Sequence, residues 1–224
     1  FTDKQVGTRH SVGTESLEFR RLARGELLYT TDKRNHLQTL KQNSLSLFRS
    51  ISPTCLHQGQ LGNCWLMSSI AAVAETPGSI EALIAQRTLT AIGRYDFNLF
   101  HPVDKKWVTV SVDDRLPVRP QSGNAGDGFM MKFANLSDEG ELWPCLLEKA
   151  IASLFGSYIA TEGNSPLVAL CIMTGCTGQQ LLTFKQDRWT GFWRCYASNM
   201  TSGTTPAERS KTFTACPSTC KWPD

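Results

Sequence analysis

QGQLGNCWLMSS, residues 58–69, sets one cysteine between a glycine-spaced turn and an apolar run. Gly59 and Gly62 allow tight backbone turns, Asn63 is a good helix N-cap, and the run from Trp65 through Ala74 is apolar on nearly every side. The stretch predicts a buried central helix over residues 64–74 with Cys64 at its first helical position. It also places Ala72 in the core, where an aspartate would bury an unpaired charge. The first turn of a helix favours an anion through its unpaired N–H groups and dipole, the setting in which a cysteine becomes a nucleophile. Gln58, upstream of the cysteine, carries an amide able to donate to an oxyanion, as acyl transfer requires beside its nucleophile. A cysteine at a helix start is ordinarily a small buried hydrophobe, so the weight rests on the whole string.

Working outward, residues 107–112 alternate Val108, Val110 and Val112 with Trp107, Thr109 and Ser111, the pattern of a half-buried strand. Residues 95–100 lie close enough upstream to pair with it through a polar loop, which predicts an antiparallel hairpin. Further on, Leu142, Leu146 and Ala150 recur at helical spacing beside Trp143, Leu147, Ile151 and Leu154, a wide apolar stripe. Pro144 is compatible with that helix only within its first turn. The fold class that follows is α+β: a buried central helix, helical packing against it near residues 142–155, and a small antiparallel hairpin.

Gln-Gly-x-x-Gly-Asn-Cys-Trp resembles the active-site segment of calpain-type cysteine peptidases of the papain-like clan, whose usual form has Asp where Asn63 stands. GRYDFNLF (residues 93–100), KKWVTVSVDDRLPV (105–118), GELWPCLLEKAIASLFGSY (140–158) and MTGCTGQQL (173–181) resemble further blocks of that family in the same order. The last echoes a turn that opens another helix. The resemblance implies the first catalytic subdomain of a papain-like cysteine peptidase. Cys64 would be the nucleophile and Gln58 the oxyanion-hole side chain, and the reaction would be peptide-bond hydrolysis through a thioester on protein or peptide substrates. It also implies a calcium site with one carboxylate three residues before the glutamine and another at Glu141. Here the first position is Cys55, a poor ligand for a hard cation.

Such chemistry needs a histidine to take the thiol proton and later protonate the leaving amine, with an Asn or Asp to orient it. A papain-like spacing of about 130–150 residues from the cysteine would put that base near residues 194–214. The four histidines are His10, His36, His57 and His101. His57 adjoins Gln58, but neighbouring side chains in an extended segment face opposite ways. The chain therefore reads as the cysteine-bearing part of a two-part catalytic domain, with a second subdomain or subunit supplying His and Asn. The alternative is a catalytically silent calpain homologue acting as a regulatory or binding module.

Composition sets the remaining bounds. The 224 residues are 41% hydrophobic and 19% charged with a formal net charge of +3, which suits a globular chain and gives no basic stripe for nucleic acid. No apolar run approaches the roughly 20 residues of a membrane helix, and no secretory-type stretch opens the sequence, so the cytoplasm is the expected compartment. The eight cysteines read as reduced thiols, and Cys216 with Cys220 lacks the second pair a zinc site needs. By organisation, residues 1–50 form a poorly readable segment with short helices suggested over 15–28 and 37–48. Residues 51–199 form the calpain-like catalytic subdomain, and 200–224 an irregular tail. Residues 120–128 have the composition of a flexible loop.

Overall fold

The computed structural model describes residues 11–12, 15–16, 18–22, 28–31, 36–40, 45–136 and 139–176. His10, Cys195, Cys216, Cys220 and the 200–224 tail lie outside them. In chain order the elements are β1 (Ser11–Val12), β2 (Glu15–Ser16), β3 (Glu18–Arg21), β4 (Leu28–Thr31), β5 (Leu37–Leu40), α1 (Cys64–Ala74), α2 (Ser79–Leu83), β6 (Arg94–His101), β7 (Lys106–Asp113), β8 (Arg115–Gly123), β9 (Gly126–Met131), α3 (Trp143–Phe155) and α4 (Pro166–Thr174). The architecture is α+β, and among the described residues no helix is long and apolar enough to cross a membrane.

The valine alternation makes the hairpin. Val112, Val110 and Val108 of β7 face Tyr95, Phe97 and Leu99 of β6 across an antiparallel ladder, and the three β6 residues are fully buried. Helices α3 and α4 pack on this hairpin, and α1 packs on α4. Pro144 stands in the first turn of α3, where its missing N–H costs nothing, and Gly156 ends the helix in the left-handed conformation.

Two expectations are corrected here. Within the segments 15–28 and 37–48 the described residues form strands at 15–16, 18–21 and 37–40, with residue 28 beginning another, where helices were expected. β3, β4 and β5 join β8 and β9 in a five-stranded sheet of order β3-β8-β9-β4-β5, antiparallel except where β4 runs parallel to β9. Residues 120–128 are not a loop but the tip of the β8–β9 hairpin. Its Gly123 lies under the Tyr29 ring, where a Cβ would come within 2.7 Å. Tyr29 then donates from its hydroxyl to the Gly126 carbonyl at 2.8 Å. The Met173-Thr-Gly turn closes α4, with Gly175 capping it in the left-handed region, and the helix expected after it falls on residues 177–181, outside the described ones.

The predicted bounds of α1 are those observed, but the helix is not buried all round. Cys64, Ser68 and Ala72, four residues apart, form an exposed stripe, while Trp65, Leu66, Met67, Ile70, Val73 and Ala74 face the core. Ala72 is therefore on the surface. The more enclosed helix is α3, buried from Trp143 through Ala152, Glu148 and Lys149 included. Lys149 is held inside by an ion pair with the Asp113 carboxylate and by donating to the Arg115 carbonyl at 2.7 Å, which ties α3 to the end of β7.

Candidate active site

Cys64 is the first residue of α1, and its thiol is exposed and free, with no hydrogen-bond partner among the described residues. The other described cysteines are also free, Cys55 and Cys145 being buried. The helix start is fixed from the opposite side by Trp65. Its indole is buried edge-on against Phe155, and Nε1 donates to the Thr161 carbonyl at 2.7 Å.

Asn63 corrects the expected cap. Its carbonyl accepts the Leu66 and Met67 N–H groups, but its side chain makes no capping bond. Instead it turns into the interior, and Nδ2 donates to Oε1 of Glu148 at 2.7 Å. Oε2 of the same carboxylate accepts the Ala134 N–H at 3.0 Å. One turn earlier on α3, the Cys145 thiol donates to the Ala134 carbonyl at 3.0 Å. Burial raises both groups: the Glu148 carboxyl is pushed up to about 7, with the bonds from Asn63 and Ala134 working against it. The Cys145 thiol is raised well above its ordinary value by burial and by the nearby Glu148, which keeps it a donor. Neither residue was picked out by sequence reasoning. A Glu-Lys pair on a helix reads as a solvated face, and only the interior partners reveal otherwise.

Gln58 is exposed, like Cys64, and its Nε2 donates to the Leu61 carbonyl at 2.8 Å. An amide nitrogen has two hydrogens, so this bond orients the group while leaving a second donor. The backbone around it is set by the 132–135 segment. Asn135 N donates to the His57 carbonyl at 2.8 Å and Gln60 N to the Lys132 carbonyl at 3.0 Å. Gly59 lies so close to that segment that a Cβ would meet the Phe133 carbonyl oxygen at 2.0 Å. Glycine is required there by close approach. Gly62 has no such constraint, since a Cβ would meet nothing nearer than 3.9 Å.

Of the histidines, His101 closes the β6–β7 turn, its Nδ1 accepting from Asp104 N at 3.1 Å, and His36 is exposed beside β5. His57 pairs its backbone with Asn135.

Glu141 is fully buried just ahead of α3, and its Oε1 accepts the Arg49 and Ser50 N–H groups at 2.6 and 2.8 Å. The Cys55 thiol donates to the Ser50 carbonyl at 3.0 Å. Burial, together with a hydrogen bond to Glu141, pushes that thiol up to about 11. A carboxylate engaged by two amide donors beside a protonated thiol is not the oxygen-rich cage that calcium takes. These residues do not fit a calcium site.

A family model described as calpain family cysteine protease matches residues 13–215. A calpain-type cysteine protease of Oryza sativa subsp. japonica, ADL1, is 33% identical over 132 residues, 59% of this chain and 6% of the rice protein. Calpain-9 of Homo sapiens is 32% identical over 133 residues, 58% of this chain and 18% of the human protein. A calpain of Schistosoma mansoni is 33% identical over 126 residues, 54% of this chain and 15% of its own length. The chain thus spans a small fraction of the curated relatives it matches. With the family match running over most of the sequence, including the Cys64 helix, the β6–β7 hairpin and α3, the chain belongs to the calpain family of cysteine proteases.

Proposed function

We propose that this chain is the nucleophile-bearing part of a thiol endopeptidase, with Cys64 as nucleophile and Gln58 as oxyanion donor, and that the histidine and its orienting Asn come from a second subdomain or subunit outside this sequence. The observation that carries the reading is the common exposure of Cys64, at the start of α1, and Gln58, in the turn ahead of it whose backbone is held by residues 132–135. The Cys64 sulfur attacks the scissile carbonyl carbon and the C=O electron pair moves onto oxygen. The oxyanion meets the free Gln58 N–H and the Cys64 backbone N–H, which as the first amide of a helix has no intrahelical partner. Collapse forms the thioester and expels the amine, which must gain a proton as it leaves. Water then hydrolyses the thioester. The substrate is a protein or peptide chain lying over the exposed stripe of α1.

The missing proton donor makes the test specific. With p-nitrophenyl acetate, whose leaving group needs no proton, the chain alone gives a burst that Cys64→Ser abolishes. With a fluorogenic peptide amide it gives no measurable turnover, since general acid–base catalysis contributes about 10²–10⁴-fold. An unchanged burst in Cys64→Ser overturns the nucleophile, and strong amide cleavage by the chain alone overturns the external base. Adding a calpain-type His/Asn subdomain in trans restores amide cleavage. Failure of that rescue while the burst persists favours a silent regulatory homologue, for which the position of the last histidine, His101, ahead of the expected base also speaks.

A further inference from the structure

Three buried interactions of α3 converge on the backbone that carries the two proposed reactive groups. Glu148 offers one carboxylate oxygen to Asn63, the residue before the nucleophile, and the other to the Ala134 N–H. Ala134 belongs to the 132–135 segment that fixes residues 57–60, and Cys145 grips its carbonyl from the same helix face. The Gly59 contact with Phe133 leaves that segment no slack. The start of α1 and the Gln58 turn are thus hung from the two oxygens of one carboxyl group, which is 2% exposed.

We propose that Glu148 is a positioning residue that sets the alignment of Gln58 with Cys64, acting through Asn63 on one side and Ala134 on the other. The proposal rests on the reading of Cys64 as nucleophile and Gln58 as oxyanion donor. A carboxyl group suits the task because its two oxygens accept in two directions at once, from Asn63 and from Ala134. The partner at residue 63 is an amide, so donor and acceptor match. The Asn63 Oδ1 on the far side is buried without a partner among the described residues, so the side chain is held by its bond to Glu148 and not by general polar solvation.

Two rates on the 224-residue chain separate alignment from mere integrity. Alkylation of Cys64 by iodoacetamide, followed by mass spectrometry, needs only the thiol. The p-nitrophenyl acetate burst needs the thiol and the oxyanion donor together. Glu148→Leu, which accepts nothing, is expected to keep its near-ultraviolet circular dichroism and to lose about tenfold or more in burst rate, as small misplacements do, while alkylation falls much less. Glu148→Gln restores both arms, its oxygen accepting from Ala134 and its amide donating to Oδ1 of an Asn63 side chain turned end for end, and is expected to keep most of the parent burst rate. A folded Glu148→Leu with the parent burst rate overturns the proposal, as does an equal loss in both rates or a Glu148→Gln no faster than Glu148→Leu. Should Glu148→Leu not fold, Asn63→Ala opens only the arm to α1 and carries the same expectation and the same refutation. A burst that survives Cys64→Ser is a different failure, that of the underlying nucleophile reading.

Discussion

Glu148 takes up its proton at a higher pH than most glutamates. Burial raises its carboxyl from 4.5 to about 7, against the opposing bonds from Asn63 and Ala134, and the buried Cys145 thiol is the other titratable group beside it. Between those two values the folded chain keeps a proton that the unfolded chain has released. Stability must therefore fall as pH rises through this window, by at most about 3 kcal/mol, and level off above it. Urea unfolding at pH 5 and pH 8 should show that decrease in the parent, and Glu148→Gln should lack this part of it. Gly59 makes a second test at this scale. The 2.0 Å approach of a Cβ to the Phe133 oxygen predicts that Gly59→Ala costs about 1–3 kcal/mol in the same measurement, because backbone rather than a flexible side chain must move. The string around Cys64 made the nucleophile and its oxyanion donor legible. It did not reveal Glu148, whose role depends on partners at residues 63 and 134, nor the inward turn of Asn63, a residue type that caps helices readily when nothing better is within reach.

At the scale of elements, α1 shows what periodicity carries. Its bounds were legible because the apolar run is continuous and local, and those of α3 because Pro144 marks a first turn. The exposed stripe was not legible, since Ser68 and Ala72 are small residues that suit either side of a helix. The stripe has a clear consequence: Ala72→Asp should change stability by less than about 1 kcal/mol, mainly through an acid near the negative end of the helix dipole. Ile70→Asp, at a fully buried position on the same helix, should cost several kcal/mol or prevent folding. Equal thermal shifts for the two variants would contradict the orientation of α1. The β8–β9 hairpin was misread for the opposite reason. Its glycines look like loop composition, yet Gly123 is there to admit the Tyr29 ring from a distant strand. Likewise nothing local marks Glu148 and Lys149 as the interior ties they are, one to Asn63 and one to Asp113.

For the whole molecule, the five-stranded sheet is assembled from the two ends of the first 131 residues, with β3, β4 and β5 flanking the β8–β9 hairpin. Deleting residues 1–40 should lower the urea midpoint sharply, because Leu28, Tyr29 and Leu40 are buried and the removed strands leave the edges of β8 and β9 open. An unchanged midpoint would mean that the sheet does not depend on them. The first strands were unreadable because the residues that make them strands are so far away: Glu18 pairs with Val118, and Leu28 with Phe129. That separation also orders events during synthesis. As the chain leaves the ribosome, β3 has no partner and the β4–β5 pair no sheet to join until the β8–β9 hairpin has emerged, long after residues 64–74. Those edges must remain open for the intervening interval. The sheet can close once Met131 appears, before Phe155, Thr161 and α4 arrive to pack the Cys64 helix, and the nascent chain is at its most vulnerable to stray strand pairing just before that point.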